Sequence, residues 1–235
     1  MRTRSIAAIP TCLLLAACGG STEQGVIADP PPITFNTAEI ATTADRLANT
    51  RNYERNQDVA ITGSASFTGG FIADLEVNGE GGQSLVGDMV MNMDFQSDQV
   101  TGSMQNMGIA DENGIATEGV LGTISLAGTV GPVAAGEKPE GVPGSGSPVD
   151  QIAQNILDVE GEGVLTGNFG QERQGDVNFD VIMLAHARTR NLSQQLNDNP
   201  VNFGAGKDWF SGPVRGFGDG VHDVFFDGRF YLIED

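Results

Sequence analysis

From Gly63 onward, hydrophobic and polar positions alternate. Between Gly63 and Val77 the odd positions include Ala65, Phe67, Phe71, Ala73, Leu75 and Val77, and the even ones include Ser64, Ser66, Thr68, Asp74 and Glu76. A period of two sends the two sets to opposite faces, which predicts a half-buried strand. After Asn78-Gly79-Glu80-Gly81-Gly82, Leu85, Met89, Met91, Met93 and Phe95 again share one face against Asp88, Asn92 and Asp94. The turn residues between two such runs predict a hairpin. Five further strands are predicted: Val100–Gln105, Val120–Val130, Val159–Phe169, Asp176–Ala185 and Val224–Ile233. Trp209–Phe217 is the eighth, which Pro213 places at a sheet edge because proline cannot donate to a central ladder.

Strands with one apolar face favour antiparallel pairing around a dry side. Gly69, Gly87, Gly102, Gly128, Gly161 and Gly228 fall inside the strands rather than between them. Interior glycines mark bends and close backbone approaches, and a small barrel needs such bends to close. The expected fold is therefore all-β, a single eight-stranded antiparallel meander β-barrel, with short helices in the N-terminal segment and in the loops. The N-terminal helix is predicted over Ala38–Ala48, capped by Asn36 with Glu39 completing a capping box. Loop helices are predicted over Val149–Leu157 and Ala187–Leu196. The first follows the Gly- and Pro-rich loop 134–148.

The first eighteen residues follow a different logic. Arg2 and Arg4 precede an apolar run from Ile6 to Ala17, as in an exported protein's signal peptide, and the run is too short to span a bilayer. It ends in Leu15-Ala16-Ala17-Cys18, which resembles a bacterial lipobox and implies lipidation of Cys18. The expected organisation is a signal peptide over 1–17, a lipidated tether and short helix over 18–57, and a barrel over 58–235. Cys12 is discarded with the signal and Cys18 carries the lipid, so the mature chain keeps no thiol for a disulfide, a metal or a nucleophile.

Charge narrows the partners. The chain has 12 Lys and Arg against 31 Asp and Glu, a formal net of −19, and losing Arg2 and Arg4 takes the mature chain to −21. Such a chain does not neutralise nucleic-acid phosphates or lie on anionic lipid. Its expected membrane contact is the lipid anchor alone, and it is expected to be monomeric.

The runs Gly63-Ser64-Ala65-Ser66-Phe67-Thr68-Gly69-Gly70-Phe71, Gly87 to Phe95 with its Asp94-Phe95 ending, and Val100-Thr101-Gly102-Ser103-Met104-Gln105-Asn106 carry a resemblance, as does the closing Asp227-Gly228-Arg229-Phe230-Tyr231. They resemble the barrel domain of transferrin-binding protein B-like surface lipoproteins, over roughly residues 59 to 235. The resemblance implies a lipid-anchored outer-membrane protein of a Gram-negative cell, with its barrel at the cell surface. Relatives in that family bind transferrin, complement regulators, haem or haemoglobin. The chain departs from the transferrin receptors in having one barrel and almost no domain before it, and the family's variable loops pass on no residue role except that of Cys18.

Chemistry-bearing residues are few. His186, at a strand end, and His222, beside Asp223, are weak candidates for a haem ligand, against the plainer reading of solvated histidines. No metal site and no resident cofactor is expected, haem entering only as a ligand. Met89, Met91, Met93 and Met104 share the strand period, which assigns them to the interior rather than to a thioether site. Acidic pairs at i, i+2, such as Asp74 with Glu76 and Glu160 with Glu162, lie on polar strand faces, where solvation is the default. Nucleophile-elbow, zincin, P-loop and dinucleotide fingerprints are absent, so no catalytic residue is named and an enzyme is not expected. The segment Phe203–Phe217 combines glycines with Phe203, Trp209, Phe210 and Phe217, and aromatic loops on rigid scaffolds serve binding. The function expected is a binding lipoprotein that engages a host protein, haem or a nutrient carrier through barrel loops. The alternative is a structural or interaction lipoprotein of the envelope without a diffusible ligand.

Overall fold

The computed structural model describes residues 32–49, 63–133, 154–169, 174–188, 209–218 and 224–235. They form one helix and nine strands: α1 (Thr37–Asn49), β1 (Ser64–Val77), β2 (Glu80–Asp94), β3 (Gln99–Asp111), β4 (Ala116–Gly122), β5 (Ile124–Val133), β6 (Gln154–Asn168), β7 (Gln174–Arg188), β8 (Trp209–Gly218) and β9 (Val224–Glu234). Every pairing is antiparallel, and β1 pairs with both β2 and β9. The sheet thus closes on itself as a ring. β4 and β5 both bridge β3 to β6, one after the other, with the break at Thr123. Counted as one interrupted strand, they give the eight positions of the expected meander.

Sequence explains two departures from the expected boundaries. Asn78 (φ 54°) and Gly79 (φ 79°) form the whole turn between β1 and β2, so Gly81 and Gly82 belong to β2. Two successive left-handed residues match the twist of a two-residue hairpin. β3 runs on to Asp111, beyond its expected end at Gln105: a bulge at Asn106–Met107, opposite Gly87, shifts the register, and the apolar parity changes from Met104 to Met107 and Ile109. Asn106 takes φ 49° there, and its Nδ2 donates to Asp88 Oδ2 at 2.8 Å.

Two helix expectations fail where residues are described. Gln154–Leu157 begins β6 and pairs with β5, not a helix, and Ala187 and Arg188 extend β7. The remainder of both predicted helices lies outside the described residues. The edge expectation for Trp209–Phe217 also fails, since β8 pairs with β7 on one side and β9 on the other. A closed ring has no edge, and Pro213 falls where the β7 ladder is interrupted, between the pairs Met183–Val214 and His186–Ser211. The missing N–H of proline costs least at such a gap.

The ring encloses an apolar core. Phe71, Phe226, Phe179 and Phe169 form a chain of rings across it, with centroid separations of 6.5, 5.5 and 5.7 Å. Near one end, Phe67 packs edge-on against Phe210 at 5.5 Å and Phe95 at 6.4 Å. Met89, Met91, Met93 and Met104 are buried among them, as their period implies. At Gly216 a Cβ would collide with the Phe226 ring, so glycine there makes room for an aromatic that spans the interior.

Helix α1 packs outside the ring. Asn36 Oδ1 accepts from the backbone N–H of Ala38 and Glu39 at 3.0 and 3.1 Å, and Glu39 Oε2 accepts from Asn36 N–H at 2.8 Å, which completes the capping box. Phe35 and Ile40 flank the cap and pack together on Val86 and Ala110, forming a hydrophobic staple. Thr43 crosses β1 at Gly70, where a larger residue would crowd it, and Leu47 reaches Tyr231. Arg46 Nη1 donates to Tyr231 Oη at 2.9 Å, with the guanidinium 5.4 Å from the ring centroid. The helix half of the expected tether is therefore seated on the outer wall of β1, β2 and β9.

Candidate functional site

The sequence-predicted residues do not converge. Cys18, Phe203 and His222 lie outside the described residues. His186 is in β7, in register with Ile156 and Ser211, and its side chain is outside the described set. Trp209 and Phe210 are not in a loop: they open β8, paired with Arg188 and Ala187, and are 1% and 0% exposed. Phe210 fills the core against Phe67, and Trp209 alternates to the other side of its strand. In this arrangement neither offers a surface to a partner. Phe217 does, being 47% exposed and 5.3 Å from the Phe225 ring.

The interior carries no acid–base chemistry among the described residues. Its side chains are aliphatic, aromatic and thioether; the buried polar side chains Thr43, on α1, and Ser211 are not part of this cluster. Three open cavities lined by described residues lie on the outer wall of the ring. One, of about 320 Å³, lies over the β1–β2 end and the β2–β3 turn, lined by Ser64, Asn92, Asp94 and Ser97. A second, of about 430 Å³, runs between α1 and the β1–β9 seam, with Leu47 and Ile72 as its apolar floor and Asp74, Asp227 and Arg229 at its rim. The third, about 510 Å³, lies over β5, β6 and β7.

Strand register builds that third trough. Ser125 stands opposite Glu162, and Glu162 opposite Asp180; Ala127 stands opposite Glu160, and Glu160 opposite Ile182. All six side chains point away from the core, and Ile182 is 51% exposed. Like charges directly opposed across strands are unfavourable, so the Glu162–Asp180 pair is a local cost of folding. Asp158 extends the row two residues from Glu160, and no Lys or Arg occurs within Gln154–Asn168 or 174–187 to balance it. Arg215 on β8 stands opposite Ile182 and pairs with β9, its Nε 3.2 Å from Asp227 Oδ2. No group of three or more His, Cys, Asp or Glu among the described residues is arranged to hold a metal ion.

Two carboxylates elsewhere are tuned, both by turns. Asp94 lies below the ordinary 3.8 because the Gln96 N–H donates to it at 2.9 Å and the Ser97 side chain adds to this. Asp111 is lowered chiefly by the Ile115 N–H and also by the Asn113 N–H, both donating to Oδ1 at 2.9 Å. These bonds fix the β2–β3 and β3–β4 turns and are structural.

Sequence reasoning did not single out the β5–β7 trough. The Glu160 and Glu162 spacing was visible, but Asp180 is 18 residues from Glu162 in sequence and joins it only through register. Comparison with protein-family models, characterised proteins and solved structures finds no match to this chain.

Proposed function

We propose that this chain is a lipid-anchored binding protein of the bacterial outer membrane that recognises a partner protein on the outside of its barrel. The observation that carries this reading is the division of labour in the ring: its interior is filled by buried apolar side chains, whereas three open cavities lined by described residues lie on the outer wall. A filled interior favours a macromolecular partner over a small ligand enclosed in a cavity. The Leu15-Ala16-Ala17-Cys18 sequence supports anchoring through Cys18, and the run of strand motifs supports kinship with transferrin-binding protein B-like lipoproteins. Haem, the small-ligand variant of this reading, rests on His186 and His222 alone.

The test uses the full-length chain in detergent as bait against host serum and against envelope extract, with a haem titration in parallel. Saturable, stoichiometric capture of one protein species without a haem Soret shift is the expected result. A Soret shift at one equivalent with no protein captured would overturn the protein-partner reading, and neither signal would overturn binding altogether.

A further inference from the structure

Helix α1 covers part of the outer wall, over β1, β2 and β9. Among the described residues no helix covers the wall over β5, β6 and β7: Val164 is 47% and Ile182 51% exposed, and Asp158, Glu160, Glu162 and Asp180 all face solvent. Phe217, on the adjacent β8 in register with Asp180, adds a half-exposed ring beside the carboxylates. Arg215 of β8 stands in register with Ile182 but is engaged by Asp227, so apolar side chains at this exposure lie among carboxylates without an ion pair among the described residues, the two features that mark a recognition surface.

We propose that this wall is the docking surface for a basic face of the partner protein, one that places Arg or Lys over Glu160, Glu162 and Asp180 and an apolar side chain against Ile182. The assignment rests on the binding reading above and adds to it the surface and the partner's chemistry. Charge complementarity selects the occupant. A second copy of a chain with net charge −19 would set like charge against like, and an anionic lipid surface would do the same. A cationic protein face instead relieves the opposed Glu162–Asp180 pair. Arginine is the better match, because its planar fork can bridge two carboxylates held on neighbouring strands. The exposed apolar residues then supply area that charge alone does not.

The experiment measures, by fluorescence anisotropy, binding of a labelled peptide of alternating arginine and leucine to the full-length chain in detergent. Peptides with glutamate in place of arginine, or serine in place of leucine, serve as comparisons. The arginine–leucine peptide is expected to bind best, with affinity falling as salt rises. The triple variant Glu160→Gln, Glu162→Gln, Asp180→Asn is expected to bind it at least about tenfold more weakly, and Ile182→Ser a few-fold more weakly. Removing the opposed charges should leave the thermal midpoint unchanged or raised. A matched variant on the far wall, Asp74→Asn, Glu76→Gln, Glu80→Gln, should bind within about twofold of the parent.

Equal losses in the two triple variants would show that net charge alone attracts the peptide and would overturn the proposal, as would no loss in the first. The two readings fail separately. A partner captured from serum or envelope equally well by parent and Glu160/Glu162/Asp180 variant leaves the binding reading standing and removes this wall from it. If the parent captures no partner, the binding reading fails whatever the peptide does.

Discussion

Replacing Phe71 with alanine is the sharpest probe of the ring. Phe71 is fully buried on β1 and stacks on Phe226 with centroids 6.5 Å apart. It also fills the space over Gly87, where a Cβ would come within 2.7 Å of its ring. Truncating a buried phenylalanine costs about 3–5 kcal/mol, the lost transfer free energy plus the cavity left behind. The cost should fall in the upper half of that range, because Gly87 has no side chain with which to collapse into the hole. For a domain of this size each kcal/mol lowers the thermal midpoint by about 2–4 °C, so a drop of order 10 °C is expected. Urea denaturation followed by the single tryptophan, Trp209, buried in β8, measures it. The paired control is Asn92→Ala on the outer face of β2, where the side chain accepts from Ser66 Oγ at 2.9 Å in solvent; it should change stability by no more than about 0.5 kcal/mol. Comparable losses at Phe71 and Asn92 would refute the reasoning, because a one-residue slip in register exchanges the inner and outer sets.

Three further outcomes are expected. Cys18→Ala should abolish incorporation of labelled palmitate and release the protein from the membrane fraction, whereas unchanged retention would remove the anchor. Gly216→Val sets a branched side chain against the Phe226 ring and should cost about 1–3 kcal/mol by overpacking, read from the urea midpoint. Asp111→Asn should flatten the loss of stability in acid. The Asp111 carboxyl is depressed in the folded state, so its contribution is complete above its ordinary value of 3.8 and is lost as pH falls through the lower folded value; an unchanged acid limb would show that the turn bonds do not hold the charge.

Much of the ring was legible because its chemistry is local. Alternation at Phe67–Phe71 and Met89–Met93 fixes which face is dry, and Asn36 with Glu39 marks the start of α1 before any tertiary contact forms. The errors fall where a tertiary constraint overrode a local one. The Asn106 bulge hid the second half of β3 by changing its parity. Pro213 argued for an edge, but closure removed every edge and set the proline at a gap in a ladder. The segment from Trp209 was legible both as an eighth strand and as part of an aromatic loop, and pairing with β7 and β9 makes it the strand β8. The acidic trough was legible only in halves, because no sequence signal states which residue of β7 faces Glu162.

The central claim is that recognition occurs on the outer wall over β5, β6 and β7. A photo-crosslinking amino acid at Ser125, directly opposite Glu162, tests it in living cells, against the same group at Ser64 on β1 across the ring. The account predicts one discrete adduct from Ser125, to a protein with a basic surface, and none from Ser64. Adducts from Ser64 alone, or from neither position, would contradict it.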